Sequence, residues 1–323
     1  MMERRKTLKL NKFLKPELNI FLFLILSLVA GTLMSSNFLD FEYLMNSTTL
    51  YAEFGIIALP FTYLLISGEI DVSVASMMTL VACTMGKVFQ LGVDFVWVLI
   101  IGVLTGVLIG LINGLLVTLT KLPSLIITLG TLSLYKGLAQ VMVGDGGISG
   151  FPEWFLGVNN KLVFGLIPVP FFLLLVLGII MEIILKKTFF GRKIFAIGTN
   201  IHVARYSAVK VDRIKVILFS LIGLFCAIAA MFSMSRLGIV KYTIGTGGEL
   251  DVITMVLLGG TAFAGGRGSV FSTMLAFLVI VFIRTGMLLA IISGYTQTAV
   301  IGALLIFVII ISNQLEKYTK DHS

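Results

Sequence analysis

Between two apolar runs the chain reads Lys186-Lys187-Thr188-Phe189-Phe190-Gly191-Arg192-Lys193-Ile194-Phe195-Ala196-Ile197-Gly198-Thr199-Asn200-Ile201-His202-Val203-Ala204-Arg205-Tyr206-Ser207-Ala208, with Lys210, Arg213 and Lys215 close behind. Eight basic residues fall between Lys186 and Lys215, in a chain where charge is otherwise scarce. Hydrophobic residues make up 58% of the 323 positions and charged residues 12%, against about 25% charged in a soluble domain. So few charges cannot cover a soluble surface, although the length would suit about two soluble domains. The composition also excludes a disordered chain, a disulfide scaffold and an ordinary cytosolic enzyme. An all-α polytopic membrane protein remains. The net charge of +8 invites a nucleic-acid reading, but the basic residues sit between apolar runs. Membrane topology explains that placement better than a DNA-binding face, so no nucleic-acid partner is expected. Cys83 and Cys226 lie in apolar stretches, where neither a disulfide framework nor a metal site is expected.

A helix crosses the hydrocarbon core with about 20 mainly apolar residues. Candidate spans fall near Leu18–Met34, Leu50–Ser67, Val72–Phe89, Val96–Leu119, Ser124–Val143, Leu162–Leu185 and Val216–Ser233. The stretch after Val252 is broken at Ala264-Gly265-Gly266-Arg267-Gly268 and reads as two short helices, Val252–Phe263 and Val270–Ile283. A last run covers Tyr295–Ile311, making about ten transmembrane helices. Basic residues concentrate on the cytoplasmic side. With the N-terminus inside, six crossings return the chain to the cytoplasm at Lys186. Eighteen basic residues then lie inside, among them Arg4, Arg5, Lys121, Arg267, Lys317 and Lys320. Only Lys87, Lys161, Arg236 and Lys241 lie outside, and Lys136 and Arg284 stay within spans. The expected organisation is a basic cytoplasmic arm over residues 1–17, a transmembrane region over 18–312 containing a cytoplasmic loop at 186–215, and a cytoplasmic tail over 313–323. The first apolar run lacks a clean cleavage site and is followed by nine more, so it reads as an uncleaved helix rather than a signal peptide.

Two pentapeptides echo each other, Gly68-Glu69-Ile70-Asp71-Val72 and Gly248-Glu249-Leu250-Asp251-Val252. Five crossings separate them, which places them on opposite faces and relates spans 2–5 to spans 7–10 as an inverted repeat. Asp71 and Asp251 each precede a helix, where a carboxylate can accept bonds from free N–H groups; both are expected to cap. Glu182 is expected to reach toward Lys186. Several chemistries are missing. No G-x-x-x-x-G-K-[ST] is present, so no P-loop nucleotide site is expected. His202 and His322 stand alone, without a zinc-binding pattern. No catalytic constellation lies in the spans, and no catalytic or metal-binding residues are assigned. Proton- or sodium-coupled transport calls for carboxylates at mid-bilayer, and the acids here lie near span ends. A secondary transporter for a small polar solute is the alternative.

The long cytoplasmic segment can hold a short helix capped by Thr199 or Asn200 and running through Val203, Ala204 and Ser207. It resembles the coupling loop of bacterial ABC importer permeases of the ribose/xylose/galactose type, K-T-x-x-G-R-x-x-x-A-I-G-x-N-x-x-A-A-R-x-S-G. Lys187, Thr188, Gly191, Arg192, Ala196, Ile197, Gly198, Asn200, Ala204, Arg205 and Ser207 keep that pattern. Ser67-Gly68-Glu69-Ile70-Asp71-Val72-Ser73 is similar to the family's G-G-I-D-L-S, with Glu69 in place of the usual Gly. Leu122 to Leu132 looks like its P-x-F-I-x-T-L-G-T-L, and Leu258-Gly259-Gly260-Thr261 with Gly265-Gly266-Arg267-Gly268-Ser269 like its L-G-G-T-x-x-x-G-G-x-G-S. The matches run in order from about residue 55 to 312. Gly55-Ile56-Ile57-Ala58-Leu59-Pro60, Gly150-Phe151-Pro152 and Ile167-Pro168-Val169-Pro170 are most similar to the autoinducer-2 import permeases of the D-subunit kind.

The resemblance implies a multi-pass permease of the bacterial inner membrane, surrounded by lipid, with both termini cytoplasmic. It implies a second permease subunit, identical or a sister, an ATP-binding subunit below and an extracytoplasmic solute-binding protein above. ATP and Mg²⁺ would be held by the ATPase and no cofactor by this chain. Gly191, Arg192, Ala196, Gly198, Asn200, Ala204, Arg205 and Ser207 would couple to the ATPase, with Gly198 and Ala204 in close contact. The expected solute is small, neutral and sugar-like, of autoinducer-2, ribose or rhamnose type. Thr128, Thr131, Gln140, Thr296 and Gln297 offer neutral hydrogen-bonding groups along its path. Gly130, Gly137, Gly259 and Gly260 would allow close helix approach.

Overall fold

Backbone polar groups in hydrocarbon must be satisfied within the chain, which leaves helices as the form for these apolar runs. The computed structural model describes residues 16–35 and 37–321 and is helical almost throughout. The expected basic arm falls outside the described residues for positions 1–15. The helices are α1 (Pro16–Met34), α2 (Phe41–Thr48), α3 (Ala52–Ile66), α4 (Val74–Gln90), α5 (Phe95–Thr120) and α6 (Ser124–Val143). A loop with β1 (Ile148–Ser149), α7 (Glu153–Leu156), β2 (Leu162–Val163) and β3 (Ile167–Pro168) follows. Then come α8 (Val169–Lys187), α9 (Phe189–Thr199), α10 (Ile201–Tyr206) and α11 (Val211–Leu237). The chain ends with β4 (Ile239–Val240), α12 (Gly248–Leu258), α13 (Val270–Leu289) and α14 (Gly294–Asp321).

Among the described residues α5, α6, α8, α11 and α13 are long and apolar enough to cross a membrane, and the α2–α3 pair makes a sixth span. Helices α1, α4 and α14 supply shorter apolar stretches and α12 is an 11-residue helix at the other expected positions, with shifted bounds. Span two is a bent pair, α2 and α3 meeting at 60°. Span six starts at Val169, because residues 162–168 form the β2–β3 hairpin. Helix α14 continues to Asp321, through most of the expected tail.

The packing repeats. Helix α4 packs on α5 and α6, as α12 packs on α13 and α14. Helix α11 packs on α4 and α5, as α3 packs on α12 and α13, and α3 and α11 pack on each other. Exchanging α3–α6 with α11–α14 therefore reproduces the contacts, as an inverted repeat requires. The closest helix contact is α5 with α11. Gly102, Gly106, Gly110 and Gly114 recur every fourth residue on one face of α5. A methyl group at Gly106 would meet the Gly223 carbonyl, and one at Gly110 the Phe219 carbonyl. Small residues at this spacing let backbones approach in lipid. The glycines named from sequence behave differently: Gly130 and Gly137 face open space, Gly259 packs on Thr273, and Gly260 turns the chain at φ +82°.

One end of the bundle is closed by aromatic rings. Phe95 lies 4.7 Å from Phe155 and 5.6 Å from Trp154, ring centre to centre, and Phe89 lies 5.3 Å from Phe151. These rings and the β1–β4 pairing hold the 144–168 loop onto the ends of α4, α5 and α11. Helices α9 and α10 mark the other end.

Candidate functional site

Helix α8 stops at Thr188, whose hydroxyl accepts the Gly191 N–H at 3.3 Å and so starts α9. Helix α9 buries Ile194 and Ile197 and exposes Arg192, Lys193 and Ala196. The Arg192 guanidinium lies over the exposed Phe189 ring at 4.2 Å. Asn200 fills the capping position of α10, its Oδ1 accepting from the N–H groups of His202 (3.0 Å) and Val203 (3.1 Å). Val203 and Tyr206 then stand out from α10, Tyr206 with 92% of its surface exposed. Arg205 pairs with Asp212 at 3.0 Å.

The eight residues expected to couple separate into two sets. Arg192, Ala196, Asn200, Arg205 and Ser207 are exposed. Gly191, Gly198 and Ala204 face inward. A methyl group at Gly191 would strike the Leu185 backbone, and Ala204 is 2% exposed. At Gly198 a methyl group would strike the Ile66 carbonyl and the Gly266 nitrogen. Gly198 and Ala204 are therefore small where this chain packs on itself. The Gly266 N–H donates to the Ile66 carbonyl at 2.8 Å. The end of α9, the end of α3 and the glycine-rich break after α12 thus meet backbone to backbone. Phe189, Val203 and Tyr206 were missed by motif reading; Phe190, Ile194, Phe195, Ile197 and Ile201 are apolar in the same segment, so composition did not mark which side chains face out.

From Ile66 the chain leads directly to Asp71. Its buried carboxylate accepts from the Ser73 N–H (2.8 Å), the Ser73 hydroxyl (2.5 Å) and the Asn113 amide (3.2 Å). The Tyr135 hydroxyl donates to Asn113 Oδ1 at 2.7 Å. Residues 70–73 are also held by α6, where Ser124 Oγ accepts from the Ile70 N–H and Thr128 Oγ1 from the Val72 N–H. Asn113 and Tyr135 were missed, although an asparagine inside the apolar α5 was a visible signal. Asp251 departs from its expected role. Helix α12 begins three residues earlier, at Gly248, so Asp251 sits inside the first turn. Its carboxylate accepts from Arg284 at 2.6 Å rather than capping. The carboxylate that meets a helix start from another element is Glu182, which accepts from Ser269 Oγ and the N–H groups of Val270 and Phe271 while pairing with Lys186 at 2.5 Å.

The five residues expected along the path divide between helix pairs. Thr128, Thr131 and Gln140 belong to α6, which packs on α4, and Thr296 and Gln297 to α14, which packs on α12. Thr128 is engaged with residue 72, Thr131 is buried, and Gln297 donates to the Ile292 carbonyl at 3.0 Å. Gln140 and Thr296 remain exposed.

A family model described as the permease component of a branched-chain amino acid transport system matches residues 43–309. The chain belongs to this permease family. It is 37% identical over 300 residues to the autoinducer 2 import system permease protein LsrD of Escherichia coli K12, covering 91% of each chain. The same identity and coverage hold for LsrD of Shigella flexneri, and LsrD of Escherichia coli O157:H7 is 36% identical. No solved structure is significantly similar to the chain. The permease is thus a non-catalytic membrane subunit of an ABC importer, in which a separate ATP-binding subunit hydrolyses ATP and a binding protein presents solute.

Proposed function

We propose that this permease imports a small neutral sugar-like solute, of the autoinducer-2, ribose or rhamnose type. The observation that carries the reading is its identity to autoinducer 2 import permeases along 91% of the chain. The basic residues of the 186–215 loop support a cytoplasmic position for α9 and α10 and for both termini, and an outward position for the aromatic-capped loop. The ATP-binding subunit, carrying ATP and Mg²⁺, would dock on the face formed by Phe189, Arg192, Ala196, Val203, Arg205, Tyr206 and Ser207. That face combines exposed aromatic and arginine side chains, the residue types that anchor interfaces. Gly191, Gly198 and Ala204 would support it from behind, and Asn200 would hold α10 in place through its cap. A second permease subunit, identical or a sister, would cover the exposed face of α6, whose Ser133, Lys136 and Gln140 are unsuited to lipid. Path residues would then come from both subunits, with Gln140 and Thr296 contributing here.

The family description names branched-chain amino acids, which sets the competing solute class. The test reconstitutes the permease with its ATPase, any sister subunit and the binding protein, then compares uptake of autoinducer 2, ribose, rhamnose, leucine and an organic anion. ATP-dependent uptake of one of the first three is expected. Uptake of leucine or the anion alone would overturn the solute reading.

A further inference from the structure

Of the two cations inside apolar spans, Arg284 is bound to Asp251. Lys136 is exposed on α6 and, among the described residues, has no carboxylate within ion-pair distance. It stands twelve residues into a 20-residue helix, roughly 18 Å from one end and near the middle of a core about 30 Å thick. An ammonium at that depth has to face protein or water rather than lipid. Lys136 lines a cavity of about 40 Å³ shared with Ser76 of α4, Glu249 of α12, and Tyr242 and Thr246 of the segment between β4 and α12.

That segment gives a second, independent reason to regard the cavity as wet. Residues 241–247 are neither helix nor strand, and Gly245 and Gly247 take φ of +77° and +86°. Irregular backbone at membrane depth is tolerated where it is buried in protein or lines water. Helix α12 has 11 residues, about 16 Å, and so covers only half the core. It runs from this cavity toward the glycine-rich break that meets Ile66. Its N-terminus therefore opens half-way down the bundle, with Gly247 at the cap position and no side-chain cap. Broken helices with free ends at mid-membrane are where transporters contact solute.

We propose that Lys136 and Glu249 form a solute-contact site on the translocation path, taking one edge of a neutral polyhydroxylated molecule. Lys136 donates to a solute oxygen and Glu249 accepts from a neighbouring hydroxyl. Tyr242 and Thr246 add hydroxyl groups beside them. One cation and one anion facing the same space balance to zero, which favours a neutral solute over a charged one. The cavity has room for only a hydroxyl or two, so the rest of the solute lies in the space in front of α6. This site rests on the import-permease reading above.

The test uses the full reconstituted importer with autoinducer 2 and ribose as probes. Lys136→Gln and Glu249→Gln are each expected to lower the rate of uptake about tenfold or more, the scale of a lost charged hydrogen bond. Co-purification with the ATPase shows that each variant assembles. The exchange Lys136→Glu with Glu249→Lys is expected not to restore uptake. Thr246→Cys should react with a small thiol reagent more slowly when solute is being transported. Parental uptake in both single variants, full rescue by the exchange, or no protection at Thr246→Cys would each overturn the site. Absence of ATP-dependent uptake in the parent importer would instead overturn the import reading, so the two failures are distinct.

Discussion

Arg284 and Asp251 are 33 positions apart in sequence and 2.6 Å apart in the fold. Both side chains are nearly buried, and the Arg284 guanidinium also lies 5.4 Å from the Tyr51 ring centre. Removing one member of a buried pair strands the other charge. Arg284→Met should therefore cost about 3–5 kcal/mol of stability, read as a lower melting temperature of the purified protein. Adding Asp251→Asn should recover most of that loss. A double variant as unstable as Arg284→Met would show that Arg284 does not serve the carboxylate. Asp71 meets the same problem differently, with an amide and a hydroxyl in place of a cation.

Helix α5 approaches α11 through Gly106, Gly110 and Gly114, and α6 carries two glycines that touch nothing. Gly110→Leu forces a side chain into the Phe219 backbone and should destabilise the protein by about 1–3 kcal/mol. Gly130→Leu should leave the melting temperature of the isolated permease unchanged, because a side chain there meets open space. Equal melting of the two variants would refute this account of the α5–α11 contact. The α9–α10 pair divides in the same manner. Tyr206→Ala should weaken co-purification with the ATP-binding subunit about tenfold without changing the melt. Gly198→Trp should instead lower the melting temperature, since the ring would strike Ile66 and Gly266 of the same chain. Normal melting of Gly198→Trp together with lost ATPase binding would reverse the assignment.

At the scale of the whole molecule, two halves with matching contacts enclose the join between α3, α9 and the break after α12. The ten-span parity makes a direct prediction. In intact cells, a single cysteine at the exposed Ser149 should react with an impermeant thiol reagent, and one at the exposed Thr199 should not. Equal labelling from outside would refute the ten-crossing arrangement. Much of this was legible in one dimension. Hydropathy and the clustering of Lys186 to Lys215 fix the number of apolar segments, because each crossing needs about 20 residues and positive charge stays on one side. The pentapeptide echo pointed to the repeat, and the 186–208 motif to the permease family. What remained hidden depends on which way a side chain faces. The same small residue suits a partner's groove or the chain's own backbone, so only the fold could turn Gly198 and Ala204 inward and leave Tyr206 outside. Likewise, charges far apart in sequence carry no mark of pairing. Tertiary structure alone brought Arg284 to Asp251 and left Lys136 facing a cavity, because in a medium without water a charge is stable only beside the groups that the fold delivers to it.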